Sequence, residues 1–154
     1  DKEGITQNIR FDEGYKEFMI NDDPNRIIRF NPADYGIIER FNTAHKEILT
    51  EMEKIQKDFN IKADGSPDVP EGELEEAAEL MAKVRKLICD KIDYIFGNPV
   101  SEIVFGTQSP LSSVKGVPLF ERFIMAAQPF IEKEVKAEQE ASQKRISKYT
   151  KQVK

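Results

Sequence analysis

The side chains that most often carry enzyme chemistry are scarce in this chain, which has one histidine and one cysteine. A Ser-His-Asp or Cys-His mechanism would have to use His45, and no nucleophile motif of the GxSxG kind accompanies it. Cys89 lies at the edge of a helical apolar pattern, where we expect an inert thiol. A single cysteine also excludes an internal disulfide and a zinc site built from several cysteines. The sequence therefore predicts a protein that is not an enzyme.

One acidic stretch can be compared with a calcium-binding loop. Asp64, Ser66, Asp68 and Glu75 would fall at four of its ligand positions. The position that needs glycine for the sharp turn is Val69. A solvated acidic loop explains this segment better, and we expect no bound metal.

Two other short motifs invite a chemical interpretation. Asp22 and Asp23 are adjacent, but an aspartate pair before Pro24 is typical of a turn, and acid–base work needs carboxylates held across a cleft. The glycines of YIFGNPVSEIVFG, Gly97 and Gly106, have neither the GxGxxG nor the P-loop spacing. We therefore expect no cofactor.

Composition limits the partners of the protein. The chain has 154 residues, which predicts one domain, and a formal charge of -5. Phosphate contacts need a basic surface, so we expect no nucleic acid partner. No apolar run approaches the roughly 20 residues that span a bilayer, and the first residues contain no apolar signal region. The sequence predicts a soluble, helix-rich protein without a membrane partner.

The predicted fold class is α+β, predominantly α-helical, with about four helices and a small N-terminal antiparallel β-hairpin or meander. The hairpin or meander covers residues 8–31, where NIRFD, YKEFMI and RIIRFN are separated by turn residues. Such a small sheet is marginal alone and must pack on helices. Its edge offers a site for self-pairing, which the side chains of Arg26 and Arg29 are expected to limit.

Helices are predicted over residues 32–135, which complete a single globular domain from residue 1. Asn31 is the predicted cap of the first helix and Pro32 its first residue. After a loop with two glycines and two prolines, a second helix runs from about Glu71 to Phe96. The stripe predicted to be buried on the first helix consists of Ile38, Phe41, Ile48, Met52, Ile55 and Phe59.

The segment after Phe96 is predicted to be a corner between helices. Gly97 follows the last apolar position of the second helix, and Pro99 prevents its continuation. PVSEIVF then forms one or two helical turns with Ile103 and Phe105 facing inward. Gly106 ends this short helix.

The last helix is predicted to begin near Val117–Pro118. Pro129 lies inside its apolar pattern and should kink the helix or split it in two. From Lys133 to Lys154 there are seven Lys or Arg against three Glu, a local balance of +4. Residues 136–154 thus form a basic tail, either a helical extension or disordered, which is solvated or binds a partner.

The order of these elements resembles the tail assembly chaperones of tailed phages and prophages of Gram-positive bacteria. The resemblance covers roughly residues 18–131. It rests on the hairpin EFMINDDPNRIIRFN, the helix opening PADYGIIERFNTAHKEI, the phrase IDYIFGNPVSEIVFG with its two Phe-Gly pairs, and PLFERFIMAAQPFI before a charged end.

The resemblance implies a non-catalytic function. Such chaperones bind the long tape measure protein while tail tube protein polymerises around it, and they tend to self-associate. A longer frameshifted form often recruits the tube protein. The implied location is the cytoplasm of the infected or lysogenic bacterial host.

A chaperone of this kind needs an apolar groove for helices of its client. The surplus apolar residues predicted to contact a partner are Tyr35, Ile37, Phe41, Leu111, Val114, Val117, Phe120 and Phe123. The alternative for each of them is a place in the core. Two other classes of function remain open: a virion structural protein, such as a tail completion or connector subunit, and an acidic phage regulatory or anti-defence inhibitor.

Overall fold

A computed structural model describes residues 4–59 and 74–153, which form four helices and two small two-stranded antiparallel sheets. The prediction of a mainly helical α+β fold with an N-terminal β-hairpin is confirmed. The acidic loop with its calcium-ligand candidates Asp64, Ser66 and Asp68 lies outside the described residues.

The N-terminal hairpin has one buried and one exposed face. Strands β1 (Lys16–Ile20) and β2 (Asp23–Phe30) pair so that Met19 lies opposite Ile27. These two side chains are exposed, whereas Ile28, next to Ile27 on β2, is buried. Alternation along a strand therefore directs one set of side chains toward the helices and leaves the other in solvent.

The paired aspartates lie at the turn of this hairpin, Asp22 within the turn and Asp23 as the first residue of β2. Asn21 and Asp22 have left-handed backbone conformations, with φ of 49° and 60°. Two consecutive left-handed residues suit the right-handed twist of a tight hairpin. Among residues other than glycine, Asn and Asp adopt the left-handed conformation most readily. The Asp23 carboxylate accepts a hydrogen bond from the Asn25 amide at 2.9 Å.

The predicted strand NIRFD does not form, and within residues 4–59 and 74–153 the sheet consists of the two strands of the hairpin. The turn at Asp12–Gly14, which would have to fold this segment back onto β1, is hydrogen-bonded to Asn31 at the end of β2. Gly14 is left-handed, with φ of 77°, and its amide donates to the Asp12 carboxylate at 2.9 Å. The Asn31 side-chain amide donates to the Glu13 carbonyl at 3.1 Å.

Helix α1 (Gly36–Phe59) begins later than predicted, and its cap is Asp34 rather than Asn31. The Asp34 carboxylate accepts from the Gly36 amide at 2.8 Å and pairs with the Arg40 guanidinium at 2.7 Å. Asn31 instead closes a turn by accepting from the Ala33 amide. Burial raises the pKa of Asp34, but the hydrogen bonds from Arg40 and Gly36 outweigh it and leave that pKa below its usual value.

The predicted buried stripe of α1 is correct for Ile48, Met52 and Ile55 and wrong for Ile38 and Phe41, and the side chain of Phe59 lies outside the described part of the structure. Ile37, Ala44 and Ile55 are buried, whereas Ile38 and Phe41 are exposed. Both sets are apolar with helical spacing, so periodicity alone cannot distinguish them. The half-buried Ile48 and Met52 complete the inward stripe.

Helix α2 (Leu74–Phe96) packs against α1 and supplies the centre of the core. Its buried residues are Leu80, Val84, Ile88, Ile92, Ile95 and Phe96. The predicted end at Phe96 is correct. Gly97 follows in a left-handed conformation, with φ of 70°, and its amide donates to the Asp93 carbonyl at 2.9 Å.

The corner is closed by Asp93 and by the short helix α3 (Ser101–Phe105). The Asp93 carboxylate accepts from the amides of Val100 and Ser101, at 2.8 and 2.7 Å, and from the Ser101 hydroxyl at 3.1 Å. It therefore satisfies donors at the start of α3 that have no partner within the helix. Phe105 is buried and Ile103 half-buried, as predicted.

Two arginines bind carbonyl oxygens at the end of α3. Arg26 of β2 donates to the Ile103 and Val104 carbonyls at 3.1 and 2.6 Å. Arg85 of α2 donates to the Gly106 and Thr107 carbonyls, both at 2.7 Å. Cations suit the negative end of a helix, so these contacts join the hairpin, α2 and α3.

Replacing Gly97 by alanine should lower the free energy of unfolding by about 1–2 kcal/mol, because the left-handed conformation is unfavourable for a residue with a Cβ atom. The new Cβ would also lie 3.3 Å from Nη2 of Arg40. Urea denaturation followed by circular dichroism measures the change. Gly116→Ala is the matched control, since Gly116 is also left-handed but has nothing within 4 Å of the added Cβ. Equal losses in the two variants would show that the Arg40 contact is irrelevant.

The chain after α3 contains a second small hairpin and a long last helix. Strands β3 (Ser113–Val114) and β4 (Val117–Pro118) pair where a loop was predicted. Helix α4 (Leu119–Val153) is continuous, and Pro129 does not split it. Its 35 residues correspond to about 52 Å of helix. The basic tail is helical to Val153, and residues 136–151 are exposed throughout.

Candidate binding surfaces

The two residues considered for catalysis lie on different helices, His45 on α1 and Cys89 on α2. His45 is exposed on α1, where its ring stacks on Phe41 with centroids 6.0 Å apart. Cys89 is half-buried, and burial raises the pKa of its thiol, which therefore stays protonated near neutral pH. In residues 4–59 and 74–153 no group of three or more His, Cys, Asp or Glu residues has the arrangement of a metal site.

The first candidate surface, which we name the α1 stripe, is a row of exposed apolar side chains along α1 and the residue before it. It consists of Tyr35, Ile38, Phe41 and Leu49, exposed to 58%, 65%, 40% and 54%. Ile38, Phe41, His45 and Leu49 are separated by three, four and four residues, which places them on one face of the helix. The centre of this face lies about a quarter-turn around the axis from the buried one. α1 therefore presents apolar side chains to the core and also to solvent.

The second candidate surface, which we name the hairpin groove, lies between the N-terminal hairpin, α3 and α4 and has a volume of about 980 Å³. Its apolar lining includes Phe18, Met19 and Ile20 of β1, Ile28 and Phe30 of β2, Phe105 of α3, and Phe123, Ala127 and Phe130 of α4. A salt bridge from Lys16 to Glu134, 2.8 Å long, joins β1 to α4.

An aromatic cluster of six phenylalanines holds the walls of this groove together. Phe30 stacks on Phe18 at 4.8 Å and meets Phe96 edge-on at 4.9 Å between ring centroids. Phe123 lies 5.1 Å from Phe96 and 6.2 Å from Phe105. Phe130 contacts Phe18 at 5.4 Å. Five of these six phenylalanines line the groove, so the residues that form its walls also pack against one another: Phe18, Phe30, Phe105, Phe123 and Phe130.

The eight residues predicted to contact a partner do not form one surface. Tyr35 and Phe41 belong to the α1 stripe, whereas Ile37 lies in the core beneath it. Phe123 lines the hairpin groove while packing on the aromatic cluster. The remaining four lie around the second hairpin and the start of α4: Leu111, Val114, Val117 and Phe120.

Those four differ in accessibility. Leu111 and Phe120 are half-buried against the core, and Val117 is half-buried in β4. Val114 is exposed in β3. This region therefore offers less accessible apolar area than the α1 stripe.

Sequence reasoning missed several members of both surfaces. The helical pattern predicts Ile38 to be buried and does not single out Leu49, although the spacing of eleven residues between them is three helical turns. A count of two apolar stripes on one helix would have revealed the α1 stripe. No sequence pattern predicts that Met19 and Phe130 line the same groove, because β1 and α4 are far apart in the chain.

Comparison with known proteins identified no relative: no family model matches the chain, and neither the curated proteins nor the solved structures gave a match. Among the described helices, none combines the length and apolar character needed to cross a membrane.

Proposed function

We propose that this protein is a phage tail assembly chaperone that binds the tape measure protein through the α1 stripe and promotes polymerisation of the tail tube. The proposal joins the resemblance in the order of elements to one observation, the row of four large apolar side chains exposed along α1 and the residue before it. It places the protein in the cytoplasm of an infected or lysogenic host. The mode of action is non-covalent binding.

The α1 stripe has the properties that a holding surface needs. An amphipathic client helix can lay its apolar face along Ile38, Phe41 and Leu49, whose spacing matches helical anchors. Burying one such side chain stabilises a complex by about 1.5–3 kcal/mol, whereas association itself costs about 4–15 kcal/mol. A single site with a few partly exposed anchors is therefore weak and reversible. Many copies along one long client would still hold it, because each bound segment raises the effective concentration of the next.

The test is a pull-down with tagged protein from induced, phage-producing cells, with captured proteins quantified by mass spectrometry. Ile38→Lys combined with Leu49→Lys should reduce recovery of a long tape measure protein by at least about tenfold, because each change removes one apolar anchor and introduces a charge. The matched control is Met125→Lys with Ile146→Lys, which makes the same charge change at exposed positions of α4.

The captured proteins also distinguish the other classes of function. Capsid or connector proteins in place of a tape measure protein would make this a virion structural protein. A single host enzyme would favour the acidic inhibitor. Equal recovery of the tape measure protein by the stripe and control variants would exclude the α1 stripe as the client surface.

A further inference from the structure

The segment before β1 exposes large apolar side chains in a strand-like pattern. We name residues 4–12 the arm. Ile5, Ile9 and Phe11 are exposed to 81%, 86% and 74%, and the arm is not part of any strand. All three occupy odd positions, so an extended backbone directs them to the same side together with Gln7, and it directs Thr6, Asn8 and Arg10 to the other side. An exposed apolar row of this kind is typical of a segment that pairs with a partner.

The hairpin groove offers the unpaired strand edge that such a segment needs. Residues 17–21 all line the groove, whereas β2 contributes only the alternate residues Arg26, Ile28 and Phe30. A consecutive run means that β1 presents its edge to the groove, while β2 presents one face. The sheet has two strands, so the outer edge of β1 has no partner strand within the described parts of the chain.

We propose that the arm of a second copy of this chain occupies the hairpin groove and adds a third strand to the free edge of β1. The backbone of the arm would pair with β1, and Ile5, Ile9 and Phe11 would enter the apolar groove. Thr6, Asn8 and Arg10 of the arm would face solvent, and Gln7 would lie between Ile5 and Ile9 on the groove side. The groove and the arm thus complement each other in backbone pairing and in the period of their apolar side chains.

The structure favours a second copy over the arm of the same chain. Among the described residues, none before Glu17 lines the groove. The arm is held at the opposite end of β1, where Phe11 lines a separate depression with Asn31, Arg40 and Gly97. The Asp12–Gly14 turn and its hydrogen bond from Asn31 fix this direction. The arm of a neighbouring copy is not subject to this constraint.

An arm-in-groove contact joins two different surfaces. Reciprocal exchange between two copies closes a dimer, whereas unreciprocated contacts build an open chain of copies. This inference does not rest on the proposed function, because the α1 stripe and the hairpin groove share no residue. Loss of self-association and loss of client capture are therefore separately measurable.

Complementation between two variants of the full-length chain tests the proposal. The arm variant carries Ile5→Ser, Ile9→Ser and Phe11→Ser. The groove variant carries Ala126→Asp and Phe130→Asp, at two exposed positions of α4 that line the groove. In sedimentation velocity each variant alone should have a dissociation constant at least about 100-fold above that of the unmodified chain, since several apolar anchors are lost. A mixture of the two should form a heterodimer through the one intact arm and the one intact groove.

The control variant keeps Ile5, Ile9 and Phe11 and changes the residues on the other side of the arm. Thr6→Ala, Asn8→Ala and Arg10→Ala should leave the dissociation constant within about threefold, because solvent-facing contacts contribute little. Circular dichroism checks that every variant is folded. If the groove variant does not fold, the arm variant compared with this control decides the question.

Three results would overturn the proposal. The unmodified chain could sediment as a monomer at all accessible concentrations, which would also be the result if the arm folds onto its own groove. The arm variant could associate as strongly as the unmodified chain. Both variants could be monomeric and folded, yet fail to form a heterodimer on mixing.

Discussion

Phe30→Ala should lower the free energy of unfolding by about 3–5 kcal/mol, the range found for removal of a buried phenylalanine side chain. Phe30 is 1% exposed and contacts two other rings of the aromatic cluster, Phe18 and Phe96. The substitution leaves a cavity at the junction of the hairpin and α2. Since natural domains are stable by only about 5–15 kcal/mol, this loss is a large part of the total.

Urea denaturation monitored by circular dichroism measures this effect, and Ile27→Ala is its control. Ile27 lies on the same strand but is 42% exposed, so its truncation should cost less than about 1 kcal/mol. Comparable losses at the two positions would mean that the hairpin does not dock on the helices through its Phe30 face. A loss below about 1.5 kcal/mol for Phe30→Ala would show that the site collapses to fill the cavity.

Asp93→Ala should lower the free energy of unfolding by about 2–4 kcal/mol, because it removes a charged acceptor from two amides and a hydroxyl at once. Ser101 is buried, so its polar atoms cannot simply turn to water. The effect should extend beyond the corner, since α3 carries Phe105 into the wall of the hairpin groove.

Two further variants separate the contributions of Asp93. Asp93→Asn keeps one oxygen able to accept from both amides and should lose less than the alanine variant. Asp90→Ala is the matched control: Asp90 lies on the same helix, but its salt bridge to Lys86 is exposed, so its loss should change the free energy of unfolding far less than the loss of Asp93. A loss at Asp90 equal to that at Asp93 would contradict the capping role.

Features that depend on neighbouring residues in the chain were predictable from sequence. The aspartates before Pro24 predict the hairpin turn, and the glycine and proline after Phe96 predict the end of α2. The short helix of PVSEIVF follows from the same local rules. These signals work because turns and caps are decided by backbone conformation and by hydrogen bonds within a few residues.

Features that depend on a distant partner were not predictable. NIRFD has the alternation of a strand, but the turn before β1 is tied to Asn31 at the end of β2, so no third strand forms. Asp34 caps α1 in place of Asn31 because Arg40, one turn into that helix, pairs with its carboxylate and also donates to the Ile95 carbonyl of α2. Helix α4 tolerates Pro129, which local propensity alone would not predict.

The candidate surfaces also depend partly on nearby residues, which were predictable, and partly on distant ones, which were not. Periodicity establishes that α1 has apolar side chains around much of its circumference, but not which of them α2 covers. Packing covers Ile37 and Ala44 and leaves Ile38, Phe41 and Leu49 in solvent. The sequence is sufficient for the helices, the hairpin and the corner, since each is specified by residues close together in the chain. The α1 stripe and the hairpin groove arise only when distant elements pack, because exposure depends on which neighbouring elements cover a side chain.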